Sequence, residues 1–179
     1  MEAELQPMYL VTGIMASGKS TVAQALAERL PRSVHVRGDT FRRFIVNGRA
    51  EMTLDASDEA RAQLRLRYEL AAHTACRYVE AGFAVVLQDI VIGVELAAMI
   101  ARIRTRPLHV IVLAPEVQEV AAREARRTKT GYGTMTPEHL DAAFRVSTPP
   151  VGLWLDTTEL SVEQTVDHIL GQPNSSRVP

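Results

Sequence analysis

A five-stranded parallel sheet with helices on both faces is the α/β fold that this 179-residue sequence predicts, and three observations predict it. Apolar runs alternate with helical stretches along most of the chain, as in repeated strand–helix–strand units. Three of the runs, Ala84-Val85-Val86-Leu87, His109-Val110-Ile111-Val112-Leu113 and Gly152-Leu153-Trp154-Leu155, are continuously apolar or β-branched. Strands covered on both faces read this way. The first run, Met8-Tyr9-Leu10-Val11-Thr12, passes through a glycine-containing stretch into a helical pattern.

Each element has its own signal. Strands are expected at residues 8–12, 33–37, 84–88, 108–113 and 152–155. Helices are expected at 20–30, 40–47, 57–81, 94–104, 117–127, 137–144 and 162–170. Ser57-Asp58-Glu59 supplies an N-cap and an acidic first turn to the long helix, and Gly82 closes it. Thr136-Pro137-Glu138 places proline at a first helical position, and Ser161 caps the last helix. Residues 49–56 form a connector. Residues 1–171 read as one domain and residues 172–179 as a flexible tail, because Pro, Asn and Ser dominate there. There is no internal repeat.

Composition narrows the function classes. A net charge of -1 lacks the basic footprint of a dedicated nucleic-acid binder. The single cysteine, Cys76, cannot form an internal disulfide. No apolar run approaches the ~20 residues that span a bilayer. The opening Met1-Glu2-Ala3-Glu4-Leu5-Gln6-Pro7 is short and acidic, unlike a signal peptide. A cytoplasmic protein without a membrane partner is expected; oligomeric state is not indicated.

Gly13-Ile14-Met15-Ala16-Ser17-Gly18-Lys19-Ser20 matches the phosphate-binding loop G-x-x-x-x-G-K-[ST] at every fixed position. Lys19 is one of only two lysines in the chain. Glycines let the backbone turn and bring its N–H groups near phosphate oxygens, and the following helix adds its positive end. Gly13, Ala16, Ser17, Gly18, Lys19, Ser20 and Thr21 are the expected nucleotide contacts. Lys19 reaches the terminal phosphates, and the Ser20 hydroxyl suits Mg²⁺.

Four further segments carry chemistry. Asp39, at the end of the strand at 33–37, either accepts a proton from an attacking hydroxyl or caps the helix at 40. Arg42, one helical turn on, is placed to orient the acceptor. Asp89 closes the strand at 84–88 in the position of an acid acting on Mg²⁺; the alternative is a turn cap. Arg123, Arg126, Arg127 and Lys129 precede Gly131-Tyr132-Gly133, the pattern of a mobile lid whose cations clamp phosphates. Arg67 and Tyr68, on the long helix, are candidates for lining an acceptor pocket. The five histidines show no metal-ligand spacing.

With these residues in place, the chain resembles the small P-loop phosphotransferases, specifically the chloramphenicol phosphotransferase-like group, with the tunicamycin-resistance proteins nearby. The resemblance implies a nucleoside-kinase-like fold with a short arginine-rich lid and Asp39 as general base. It implies Asp89-Ile90-Val91-Ile92-Gly93 as the second strand-end acid with its glycine turn, and Asp156-Thr157-Thr158 as the adenine-side loop. It assigns Arg127 to catalysis and Arg123 and Arg126 to the nucleotide. Asp39 with Arg42 is also similar to polynucleotide kinases, but Arg37-Gly38-Asp39 replaces their more acidic stretch. The expected activity is ATP- and Mg²⁺-dependent transfer of the γ-phosphate to a small-molecule hydroxyl, with an antibiotic as one acceptor the resemblance implies. A nucleoside, sugar or sugar-nucleotide acceptor fits the same machinery. A nucleotide-dependent ATPase or switch is the alternative class, although the Asn-Lys-x-Asp stretch of GTPases is absent.

Overall fold

The computed structural model describes residues 6–53, 55–126 and 136–179. The elements are β1 (Met8–Thr12), α1 (Lys19–Arg29), β2 (Ser33–Arg37), α2 (Asp39–Arg43), α3 (Asp58–Glu80), β3 (Ala84–Gln88), α4 (Val94–Arg102), β4 (Leu108–Leu113), α5 (Val117–Ala125), α6 (Pro137–Ser147), β5 (Leu153–Leu155), α7 (Val162–Gly171), α8 (Pro173–Ser176) and β6 (Arg177–Val178). The five expected strands form one parallel sheet in the order β2-β3-β1-β4-β5.

The continuous apolar runs become central strands because both faces are covered. On one face Met8, Leu10, Val85, Leu87, Leu108 and Val110 meet Ala71, Ala75, Leu96, Met99 and Phe144. On the other, Tyr9, Val11, Val86, Ile111 and Leu113 meet Val22, Leu26, Val166 and Ile169 from α1 and α7. Burying each such Val, Leu or Ile side chain contributes roughly 1.5–3 kcal/mol. The caps form as expected: Ser57 accepts from the Ala60 amide, Thr136 from that of His139, and Ser161 with Gln164 completes a capping box.

Two elements depart from expectation. The helix after β2 starts at Asp39, with Gly38 as its cap residue, and stops at Arg43. The last eight residues are not a frayed tail. They make α8 and the antiparallel strand β6, which pairs Val178 with Leu108 and Arg177 with His109. The reason is a gap in the sheet. β5 pairs only with Ile111 to Leu113, so the start of β4 has an open edge, and β6 covers it. Val178 is 3% exposed, and Ser176 and the buried His109 share a 2.9 Å hydrogen bond.

The parallel order places the carboxyl ends of all five strands along one edge, where open α/β sheets bind ligands. Thr12, Arg37, Gln88, Leu113 and Leu155 end there.

Candidate active site

The phosphate loop joins β1 to α1 and is fixed by its own backbone. Gly13 has φ 146°, and a Cβ there would stand 2.5 Å from the Leu113 carbonyl oxygen. Ala16 and Gly18 also take positive φ, 63° and 92°. Thr12 anchors the entry: its hydroxyl donates to the Val91 carbonyl at 2.7 Å and accepts from the Val91 amide at 2.9 Å. α1 has no side-chain cap, so its first N–H groups are available to an anion. Lys19 is 6% exposed and folds back over the loop, donating to the Ile14 carbonyl at 2.5 Å.

Ser20 donates to Gln88 Oε1 at 3.3 Å. The residue of β3 nearest the loop hydroxyl is therefore Gln88, not Asp89. Successive strand residues point to opposite faces, and Asp89 turns the other way. Its side chain is fully buried, and Arg67 grips it with two prongs, Nε to Oδ2 at 2.9 Å and Nη2 to Oδ1. The Ile90 amide adds a third donor at 2.7 Å. Asp89, expected to touch Mg²⁺ or the acceptor, is held here by Arg67 and the Ile90 amide instead. Asp89 also presses on the preceding turn of β2, for a Cβ on Gly38 would sit 2.0 Å from its Oδ2. Gly38 donates its amide to Gln88 O at 2.9 Å, closing this packed corner.

Asp39 stands next to that corner. Its side chain is 31% exposed. Arg43 donates to its Oδ2, and Arg37 Nε lies 3.7 Å from Oδ1, which receives no hydrogen bond. Arg42 does not reach Asp39. It pairs with Glu51 at 2.6 Å and approaches the Ala50 carbonyl at 3.5 Å, and its hydrogen bond holds the Glu51 carboxyl below its ordinary pKa. Because α2 begins at Asp39 itself, the partner at i+4 is Arg43.

Tyr68 is 2% exposed and donates to the Ile90 carbonyl at 2.6 Å; burial pushes its pKa up to about 12. It supports the loop after β3 from beneath, which corrects its expected place on the acceptor. Arg67, 13% exposed, has its pKa lowered chiefly by burial, while the nearby charge of Asp39 favours its cationic form.

Arg123 crosses the opposite side of the loop. It pairs with Glu119 at 2.7 Å and reaches the Thr157 carbonyl at 3.4 Å. Its Nη1 would lie 3.6 Å from a Cβ on Gly18. It thus bridges the phosphate loop and the Asp156-Thr157-Thr158 turn, where Asp156 accepts from the Thr158 amide at 2.9 Å. Arg126 is exposed at the end of α5. Arg127, Lys129, Gly131 and Gly133 of the expected lid lie outside the described residues.

Among the described residues no three His, Cys, Asp or Glu side chains converge as a metal cage. Mg²⁺ needs no such cage, because it usually keeps waters and binds substrate phosphates with few protein oxygens. The Ser20 hydroxyl with Gln88 behind it fits that donor set. No helix among the described residues is long and apolar enough to cross a membrane.

Sequence reasoning placed the loop residues, Asp39 and Arg123 at one edge. It missed Gln88, Arg43 and the role of Arg67. Gln88 was adjacent to the acid singled out, and strand alternation from Ser20's side was the signal that could have found it.

A family model described as AAA domain matches residues 8–150. A UPF0200 protein of Aeropyrum pernix is 35% identical over 123 residues; the match covers 68% of this chain and 65% of that relative's length. An unliganded sugar kinase from a Janibacter species superposes with a TM-score of 0.67 at 16% identity, covering 96% of both chains. The tunicamycin resistance protein of Deinococcus radiodurans gives 0.65 at 17% identity, covering 97% of this chain and 99% of that one. At such identities the structural matches establish a shared fold.

Proposed function

The chain belongs to this AAA-domain family, with a P-loop kinase-like fold, and from that premise we propose that it is an ATP- and Mg²⁺-dependent kinase that transfers the γ-phosphate to a hydroxyl of a small molecule. The observation that carries this reading is Asp39. It is a carboxylate 31% exposed overall, with one buried oxygen that receives no hydrogen bond, at the strand end beside a phosphate loop. As general base, Asp39 accepts the proton of the attacking hydroxyl, while Arg43 on Oδ2 fixes the carboxylate plane. Lys19 and the free amides of α1 hold the phosphates, and Arg123 neutralises them from the far side. Mg²⁺, when bound, supplies further charge neutralisation at the phosphate oxygens; Ser20 is the residue that would hold it.

The exposed Arg37 and Arg43 beside Asp39 favour an acceptor that also carries an anionic group, such as a sugar nucleotide. An antibiotic hydroxyl, a sugar or a nucleoside fits the same chemistry. The likeness to a sugar kinase and to a tunicamycin resistance protein supports small molecules as the acceptor class. The test is ADP release from ATP and Mg²⁺ across a panel of sugars, nucleosides, sugar nucleotides and hydroxylated antibiotics. Acceptor-dependent release, lost in Asp39→Asn, is the expected result. Release at the full rate without any acceptor would favour an ATPase.

A further inference from the structure

Gln88 is the last residue of β3 and is 5% exposed. Its backbone is tied on both sides. It pairs with Val11 of β1 and Arg37 of β2, and its carbonyl accepts from the Gly38 amide at 2.9 Å. A polar side chain buried on a central strand needs a partner. Gln88 Oε1 finds one in the Ser20 hydroxyl, at 3.3 Å and 68 residues away along the chain. Strand alternation brings the two together. Gln88 shares the face of Val86, which packs with Val22 and Leu26 of α1, whereas Asp89 turns to Arg67 on α3.

The chemistry of the pair is directional. A hydroxyl carries one proton and two lone pairs. To meet a cation through its lone pairs, Ser20 must send its proton to an acceptor elsewhere. The loop offers none that suits: the Lys19 ammonium and the backbone N–H groups that face a phosphate are all donors. Gln88 Oε1 is the acceptor that receives this proton. It is also neutral. A carboxylate at the same place would accept the same hydrogen bond and add a negative charge beside the phosphates.

We infer that Gln88 is the positioning residue for the Ser20 hydroxyl, and that its neutral amide sets how strongly Mg²⁺ tightens nucleotide binding. It acts through Ser20, in the way that partners behind a metal-binding group orient that group. The inference rests on the reading of Ser20 as the residue that would hold Mg²⁺, and on no particular acceptor.

The experiment measures the dissociation constant of a fluorescent ADP analogue for the full chain, once in Mg²⁺ and once in EDTA, with no acceptor present. The ratio of the two constants is the Mg²⁺ enhancement. Pairing of Mg²⁺ with the free analogue is common to all variants, so a change in the ratio belongs to the protein. Gln88→Met leaves only a weak thioether acceptor. It is expected to cut the enhancement about tenfold, with the EDTA constant within about twofold of the parent's. Gln88→Glu keeps an acceptor and adds charge, so an enhancement at least about threefold above the parent's is expected. In a Ser20→Ala background, Gln88→Met is expected to change the ratio by less than about twofold, because the group it acts through is gone. The inference is overturned by a parent without enhancement, by the parent's enhancement in folded Gln88→Met, by equal weakening in both media, or by an undiminished effect in the Ser20→Ala background. Should Gln88→Met fail to fold, Gln88→Glu decides, and an enhancement no greater than the parent's overturns it. Gln88-dependent enhancement in a protein that phosphorylates no acceptor would instead sink the kinase reading and leave this inference standing.

Discussion

Asp39 and Asp89 stand at the ends of adjacent strands, and their carboxylates meet opposite surroundings. Asp39 is 31% exposed, accepts one hydrogen bond from a surface arginine and keeps one oxygen free. Asp89 is fully buried, with Arg67 on both oxygens and a backbone amide besides. A carboxylate held by three donors inside the protein is tied to its support rather than presented to a ligand. One that is fixed yet unsaturated can take a proton. In the proposed function, the end of β2 is the reactive one and the end of β3 its support.

Variants at the two acids test that division, and the largest effect is expected at Asp39. Asp39→Asn keeps the shape of the side chain and removes its basicity, so kcat is expected to fall by about 10²–10⁴-fold. Nucleotide binding, followed by a fluorescent ATP analogue, is expected to stay within about threefold of the parent. A variant with undiminished turnover would remove Asp39 from the base role and leave the contrast without content.

On the structural side, Arg67→Met leaves Asp89 buried and unpaired. Breaking a buried ion pair by removing one partner costs about 3–5 kcal/mol, which urea unfolding would register as a lower midpoint. The double variant Arg67→Met with Asp89→Leu is expected to recover much of that stability, because an apolar pair carries no desolvation penalty. If instead Arg67→Met unfolds at the parent's midpoint but loses Mg²⁺-dependent activity, Asp89 belongs to the reaction after all.

Gly38→Ala probes the contact between the two regions. The added methyl would fall 2.0 Å from Asp89 Oδ2, so either the ion pair or the Asp39 turn must shift. A stability loss of about 1–3 kcal/mol is expected, accompanied by lower kcat as Asp39 is displaced. A normal midpoint with normal turnover would mean that the corner is loose and that Asp89 does not position Asp39.

How much of this was legible in the sequence follows from how far apart the interacting residues lie. The phosphate loop occupies consecutive positions, and its conformation is a property of its own backbone, so its motif was sufficient. Strands β1, β3 and β4 were legible because burial on both faces forces continuous apolar runs. The Arg67–Asp89 pair joins residues 22 apart on separate elements, and no local pattern announces it. On α3, Arg67 stood out only as a candidate for an acceptor pocket, and its grip on Asp89 is a tertiary contact. The tail misled for a related reason. Its composition is that of a loop, and the open edge of β4 that makes it a strand is a tertiary fact.

The smallest expected effects separate two neighbouring arginines. If α2 had begun at Thr40 with Asp39 as its cap, Arg42 would be the natural companion of Asp39. With α2 beginning at Asp39, Arg43 takes that place and Arg42 serves the connector through Glu51. Arg43 is 66% exposed, so Arg43→Ala is expected to change stability by less than about 1 kcal/mol. Its effect belongs in catalysis: a carboxylate freed from its anchor samples more rotamers, and a turnover loss of about 3–10-fold is expected from poorer orientation. Arg42→Ala is expected to leave kcat within about twofold, because the group it holds is a surface carboxylate away from Asp39. Steady-state kinetics of both variants with the best acceptor decides the matter. A larger loss from Arg42→Ala would mean that Asp39 is positioned from the connector, and the division between a reactive β2 end and a supporting β3 end would have to include residues 48–51.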